Sequence, residues 1–356
     1  MHRRNRTART TLLHQFLRPF RSQLVKPSEP FPPGSPRLTP HPSCAKICGV
    51  HERQVAGIWL YDLEPKTSHK TTSKATTSAA ASHLSTAGEI AHEAAEEDTL
   101  RKNRENAEGI VRRIYYIAGG SWREPPSHQH WKFMAKLAAA TPGTAVSVVS
   151  VPLAPNETAQ TVFPRLLTLY ERVMEESTEK GERALWAGDS SGGNIVLGLV
   201  GEALRAREGV KPLPAPSALL IICPSVDARR ENEKIEAIQD KDPILIATES
   251  KQQAADWAGD WSLDDERISP AVNYTGKDNL IELLSEKGVK VHGITAGYDI
   301  LSPDAIILRE RLEKGGVYGK WLHWDKQMHC FPLAWFYGLP ESKEGLHWII
   351  RVLQEE

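Results

Sequence analysis

From Ile110 onward the sequence alternates short, almost wholly apolar runs with longer amphipathic ones, and this alternation restricts the fold more than any other feature. Val111–Ile117, Thr144–Val151, Ala184–Ala187, Ser217–Cys223, Val289–Thr295 and Tyr318–Trp324 read as strands. His128–Ala140, Ala159–Glu176, Ser191–Ala206, Ala305–Lys314 and Lys343–Gln354 read as helices. A strand without polar alternation has no face to give to water, so both faces of its sheet must be covered. Strands separated by helices meet that demand as a mostly parallel sheet with helices on either side. An α/β domain over residues 53–356 is therefore expected.

Residues 1–28 carry Arg3, Arg4, Arg6, Arg9, Arg18, Arg21 and Lys26, and no acidic residue precedes Glu29. Leu12, Leu13, Phe16, Leu17, Phe20 and Leu24 recur at helical spacing. Such a stretch is compatible with a mitochondrial presequence or a membrane-surface helix. The expectation taken here is that residues 1–52 form a basic amphipathic segment serving as part of a lid, with a second part around 228–268. Val55–Asp62 reads as a further strand. The Thr-, Ser-, Ala- and Glu-rich stretch at about 66–108 buries too little apolar area to offset its ordering entropy and is expected to be a disordered insertion.

The formal charge of −1 gives no global attraction to nucleic acid or anionic lipid. No apolar run approaches the ~20 residues that cross a bilayer, and the N-terminus lacks the apolar core of a secretory signal. A cytoplasmic protein is expected, with the Arg-rich start leaving a mitochondrial one open. Cys44, Cys48, Cys223 and Cys330 are too few for a disulfide framework, and no second Cys/His pair completes a metal site with Cys44 and Cys48. No metal or organic cofactor is expected.

Gly188-Asp189-Ser190-Ser191-Gly192 lies between a strand ending at Ala187 and a helix beginning at Ser191. A sharp strand-to-helix turn presents a serine at the carboxyl edge of the sheet, and flanking glycines remove side chains that would clash. The helix behind it offers free N–H groups and its positive dipole end to a developing oxyanion. A serine hydroxyl needs a base to take its proton. His329, in Gln327-Met328-His329-Cys330-Phe331, follows a strand late in the chain; Asp299, in Gly297-Tyr298-Asp299-Ile300-Leu301, follows the strand before it. Both fall on the edge where open α/β sheets bind ligands. Asp304 is the rival acid, and His292 the only other late histidine considered as the base. His323 reads as part of a strand face, and His128, His130 and His347 as helix residues needing no function. Ala118-Gly119-Gly120-Ser121-Trp122 follows a strand and allows close backbone approach, so Gly119, Gly120 and Ser191 are the expected oxyanion donors.

Taken together, these residues resemble the hormone-sensitive-lipase-like group of α/β-hydrolases. Gly188-Asp189-Ser190-Ser191-Gly192-Gly193-Asn194 is similar to that group's Gly-Asp-Ser-Ala-Gly-Gly-Asn element, and Pro152-Leu153-Ala154-Pro155-Asn156 to its Arg-Leu-Ala-Pro-Glu segment. Pro224-Ser225-Val226-Asp227, Lys241-Asp242-Pro243-Ile244-Leu245 and Ser269-Pro270 also match its motifs, in order, across about residues 110–340. The departures are Ala118 for the leading His of the group's His-Gly-Gly-Gly loop, Ser121 for its third Gly, Ser191 for Ala, and Ile300 for the proline of the Asp-Pro-Leu-type turn that Asp299-Ile300-Leu301 otherwise matches. The resemblance implies an α/β-hydrolase fold and two-step hydrolysis of carboxylic esters by a Ser190–His329–Asp299 triad. The rate would then rise with pH as His329 loses its proton. Trp122, Trp257 and Trp261 are the candidate lining of a pocket for an apolar acyl or alcohol group of a small ester. An amidase, formamidase or lactonase with the same triad, or a non-catalytic ligand-binding member of the fold, are the alternatives.

Overall fold

Each apolar run becomes a strand of one nine-stranded sheet in the computed structural model, which describes residues 1–24, 29–66, 109–205, 212–272 and 276–356. The strands are β1 (His2–Arg3), β2 (Cys48–Val55), β3 (Ile58–Pro65), β4 (Arg112–Ile117), β5 (Thr144–Ser150), β6 (Arg183–Asp189), β7 (Ala218–Ile222), β8 (Lys290–Tyr298) and β9 (Trp321–Met328). Their order is β1-β9-β8-β7-β6-β4-β5-β3-β2. β4 through β9 pair in parallel, while β3 is antiparallel to both β2 and β5. The expected strand Val55–Asp62 is β3 from Ile58 onward, but its first residues are the end of β2 and a hairpin turn that holds Ala56 and Gly57 at φ 51° and 75°. The turn was missed because it carries Ala where an Asn or Asp would signal it. The insertion expected at 66–108 lies outside the described residues apart from Lys66.

The helices are α1 (Ala8–Leu17), α2 (His128–Ala140), α3 (Ala159–Glu179), α4 (Ser190–Leu204), α5 (Lys234–Gln239), α6 (Ala247–Ala258), α7 (Leu280–Glu286), α8 (Ser302–Lys314) and α9 (Pro340–Gln354). Successive strand residues point to opposite faces, and each face has its own core. Tyr115, Ile117, Trp186, Leu219 and Ile221 pack with α3, α4 and α8; Ile114, Tyr116, Leu185, Ala187, Leu220 and Ile222 pack with α2 and α9. Fully buried Trp186, at the centre of the sheet, stacks on Tyr170 with ring centroids 5.1 Å apart and meets Tyr115 at the same distance.

The N-terminal segment is docked on the sheet edge. The terminal ammonium donates to the Trp321 carbonyl at 2.7 Å, and β1 extends the sheet beside β9. Buried Glu341 at the start of α9 accepts from the Thr7 N–H and from the hydroxyls of Thr7 and Thr10, so α1 is held from its first turn. The amphipathic stripe then divides. Leu13 and Leu17 turn inward, whereas Leu12 and Phe16 remain 65% and 67% exposed. No helix among the described residues is long and apolar enough to cross a membrane.

Trp186→Ala should destabilise the fold by about 3–5 kcal/mol, since a buried indole leaves a cavity that a close-packed sheet cannot collapse. Urea unfolding measures this; a loss below about 1 kcal/mol would show that the two aromatic neighbours relax into the space.

Candidate active site

The turn from β6 to α4 is built by exclusion of side chains. A Cβ on Gly188 would lie 2.6 Å from the carbonyl carbon of Gly192, and one on Gly192 would lie 2.1 Å from the Ile117 carbonyl oxygen. Backbone stands on the far side of both contacts, so neither can be relieved by a rotamer change. Between the two glycines Ser190 is forced to φ 53°, left-handed and costly for a residue with a Cβ. Its hydroxyl is thereby placed at the helix start, on the wall of a cavity.

The side chain of Asp189, just before it, is a buried hub. Oδ1 accepts from the Tyr116 hydroxyl at 2.8 Å and the Gly119 N–H at 3.0 Å, and Oδ2 lies 3.1 Å from His130 Nε2. Burial alone would raise its pKa, but the His130 charge and these hydrogen bonds hold the carboxyl below its ordinary value. The Gly119 N–H is therefore engaged and holds the loop rather than facing a substrate, which corrects the expectation for Gly119. The N–H groups of Gly120 and Ser121 have no partner among the described residues, and both residues line the cavity. Ser191 is the second residue of α4, where an N–H lacks an intrahelical partner, and its hydroxyl accepts from the Trp122 N–H at 3.2 Å. The serine that departs from the resembled motif thus ties the glycine loop to the turn.

His329 and Asp299 follow the carboxyl ends of β9 and β8. His329 Nδ1 is 2.9 Å from Asp299 Oδ2, and Asp299 is fully buried. Burial disfavours the imidazolium, but the Asp299 charge and hydrogen bond, with Asp242 and Asp189 behind, outweigh it and raise the His329 pKa above its ordinary value. Asp242 accepts from the N–H groups of Ile244, Leu245 and Ile300, joining the loop before α6 to the loop that carries Asp299. Its own burial and the nearby Asp299 charge push its carboxyl up to about 7. Cys330, at φ 49°, sets its sulfur 3.4 Å from His329 Nε2.

Ser190, His329, Gly119, Gly120 and Ser121 share one cavity of about 700 Å³. Leu13 and Leu17 of α1, Ile244 and Leu245 before α6, and Leu333 and Leu339 before α9 give it an apolar wall. None of the three expected tryptophans lines it. Trp122 and Trp257 border a separate small space beneath the glycine loop, and Trp261 packs on Phe163 and under Arg267. Large indoles fill the core here, and smaller aliphatic side chains shape the cavity.

The rival residues lie elsewhere. Asp304 accepts from Asn232 Nδ2 at 2.7 Å, His292 faces Glu356 at 3.2 Å, and His323 meets Thr295 Oγ1 at 2.8 Å. Sequence reasoning missed His130 as a partner of Asp189 and Asp242 as the clasp of the acid loop. It also missed Cys330 at the imidazole. The adjacency of Cys330 to His329 was a usable signal; the contact of His130 with Asp189 spans 59 positions and had none.

A family model described as alpha/beta hydrolase fold matches residues 114–333. No curated protein sequence matches the chain. Among solved structures, an esterase from the bacterial hormone-sensitive lipase family superposes with a TM-score of 0.68 at 16% identity, covering 99% of both chains. EstE5 soaked with p-nitrophenyl butyrate gives 0.67 at 16%, covering 98% of both, and an esterase/lipase from an uncultured bacterium gives 0.66 at 17%, also covering 98% of both. At these identities the likeness is one of fold.

The imidazole signals of His329, followed by NMR in chelator-treated buffer, should titrate above the ~6.5 of a free histidine. In Asp299→Asn the burial effect stands with less opposition, and the pKa should drop below that value. An unchanged pKa in the variant would remove Asp299 as the partner of His329.

Proposed function

Because the chain belongs to the α/β-hydrolase family, we propose that it hydrolyses carboxylic esters by a Ser190–His329–Asp299 triad through an acyl-enzyme intermediate. The observation that carries the reading is that a serine at a strained strand-to-helix turn shares one cavity with a histidine oriented by a buried carboxylate.

Ser190 Oγ attacks the ester carbonyl carbon as His329 Nε2 takes its proton. Asp299 fixes the tautomer by holding Nδ1–H and stabilises the imidazolium that forms. The carbonyl oxygen, now an anion, is received by the N–H groups of Gly120, Ser121 and Ser191. Donors fixed in advance cost no reorganisation at that moment, and each contributes ~3–4 kcal/mol by the usual measure. His329 then protonates the departing alkoxide, the tetrahedral centre collapses, and water repeats the sequence to release the acid. The aliphatic wall supports an apolar acyl or alcohol group, and α1 closes over it through Leu13 and Leu17 in the role of a lid.

On p-nitrophenyl esters Ser190→Ala should lower turnover by on the order of 10⁶. A folded wild-type chain inactive on every acyl length, or a variant that keeps its rate, would overturn the reading. The base is silent while protonated, so kcat/KM should rise with pH through the raised pKa of His329 and level off above it. A profile flat from about pH 5 to 8 would exclude His329 as the base. Leu17→Trp should shift the preference toward shorter acyl chains with little change on acetate, and an unaltered chain-length profile would place the acyl group elsewhere.

A further inference from the structure

Three ligand residues converge beside the cavity: one ligand atom each of Cys223, Cys330 and His329 lie within 4.8 Å of one another, and Cys330 Sγ is 3.4 Å from His329 Nε2. Their convergence follows from the sheet. Cys223 directly follows β7 and its N–H bonds the Ile294 carbonyl, while Cys330 lies two residues beyond β9; both sit at positive φ, 47° and 49°. Those two corners turn sulfurs from different strands toward one point. Both cysteines are free thiols.

We propose that Cys223, Cys330 and His329 form a binding site for a thiophilic divalent cation, zinc above all, which switches the hydrolase off. Zinc takes thiolate at about 2.3 Å and imidazole at about 2.0–2.1 Å in a tetrahedron, which sets neighbouring donors ~3.5–3.8 Å apart. The observed Sγ···Nε2 separation of 3.4 Å is already at that spacing. The histidine is also prepared in the way metal-bound imidazoles are, since its other nitrogen is held by a carboxylate at 2.9 Å. Cys330 and His329 line the cavity, which supplies the entry path and leaves the fourth position to water or to Asp189 Oδ2, 3.7 Å from Cys330 Sγ. On binding, two S–H bonds break and their protons pass to buffer, two Zn–S bonds and one Zn–N bond form, and no electron is transferred. The lone pair on Nε2 that would take the proton of Ser190 is then committed to the metal. This consequence rests on the hydrolase reading; the metal site itself does not.

The test begins with full-length, chelator-treated protein equilibrated with zinc chloride, dialysed and counted by elemental analysis. One zinc per chain is expected in wild type. Cys330→Ser and Cys223→Ser should each weaken binding 100-fold or more, and Asp299→Asn by 10–100-fold through its hold on the imidazole. Cobalt in place of zinc should give thiolate-to-metal charge-transfer absorption that both cysteine variants lose. His2→Ala probes the exposed trio His2, His323 and Asp325 and should retain the zinc. If Cys223→Ser fails to fold, Cys330→Ser at the cavity wall carries the test alone. Absence of bound zinc in wild type, its persistence in Cys330→Ser, or its loss in His2→Ala would overturn the site. Ester hydrolysis should stop at one equivalent and return with chelator. A chain that binds zinc through the cysteines but cleaves no ester would keep the site and overturn only the esterase reading.

Discussion

A buried carboxylate that stays ionised must collect hydrogen bonds from whatever surrounds it, and Asp189 imposes that demand at the centre of the sheet. Its four partners come from separate places: Tyr116 near the end of β4, Gly119 in the loop that follows, His130 on α2, and the Cys330 thiol beyond β9. Satisfying the charge therefore fixes the distance between the turn that carries Ser190 and the loop that carries Gly120 and Ser121. A Cβ on Gly119 would fall 2.5 Å from Asp189 Oδ2 and 2.8 Å from Ser190 Cβ, so the loop can approach this closely only as glycine. Ser191 adds a second clasp by accepting from the Trp122 N–H. The geometry of the glycine loop beside Ser190 is thus an outcome of charge burial, not of loop propensity.

The same logic places α1. Glu341 is 2% exposed and its carboxylate must be answered, and the answer comes from Thr7 and Thr10. Those contacts fix the first turn of α1, and the helical period then decides which leucines point inward. Leu13 and Leu17, four residues apart, stack on one face and close the cavity. On the far side, α5 and α6 are joined to the acid loop through Asp242 and a small apolar cluster of Ile235, Leu245, Ile300 and Leu301. The loop before α6, which lines the cavity, and the position of Asp299 are consequently coupled through one clasp.

The parallel sheet and the turn at Ser190 were legible because both are local. Apolar runs of strand length reveal themselves in any window, and a Gly-x-Ser-x-Gly between strand and helix has one geometry open to it. Asp299 and His329 were singled out because each follows the end of a strand, and their side chains do come together. What escaped was set by tertiary contact. The strand β2, over Cys48–Val55, went unread, because pairing with β3 across the Ala56-Gly57 turn is what makes it a strand. Gly119 was read as a donor to substrate, since nothing in the sequence shows that Asp189 occupies its N–H. The tryptophans were read as cavity lining because two lie in the expected lid segment and one beside the glycine loop, but their size makes them good core. Trp257 is fully buried, and the cavity falls instead to side chains of α1 and of the loops flanking α6 and α9.

In the proposed mechanism and in the proposed metal site alike, the chemistry converges on one lone pair, that of His329 Nε2. Asp299, Asp242 and Asp189 surround the imidazole with negative potential, which is why its pKa lies above the ordinary value despite burial. A stronger base takes the proton of a serine more readily, and by the same electron density it binds a cation more tightly. Proton and metal therefore compete for one site whose electrostatics favour both. Substrate adds nothing to that negative potential if it is a neutral ester, so it does not displace a cation by charge. With Cys330 at 3.4 Å and Cys223 beside it, the pocket that makes His329 basic also presents soft donors to a metal ion. In a serine mechanism neither sulfur is required for any bond made or broken. Their convergence on His329 is therefore accounted for by the proposed control of that nitrogen and not by the proposed hydrolysis itself.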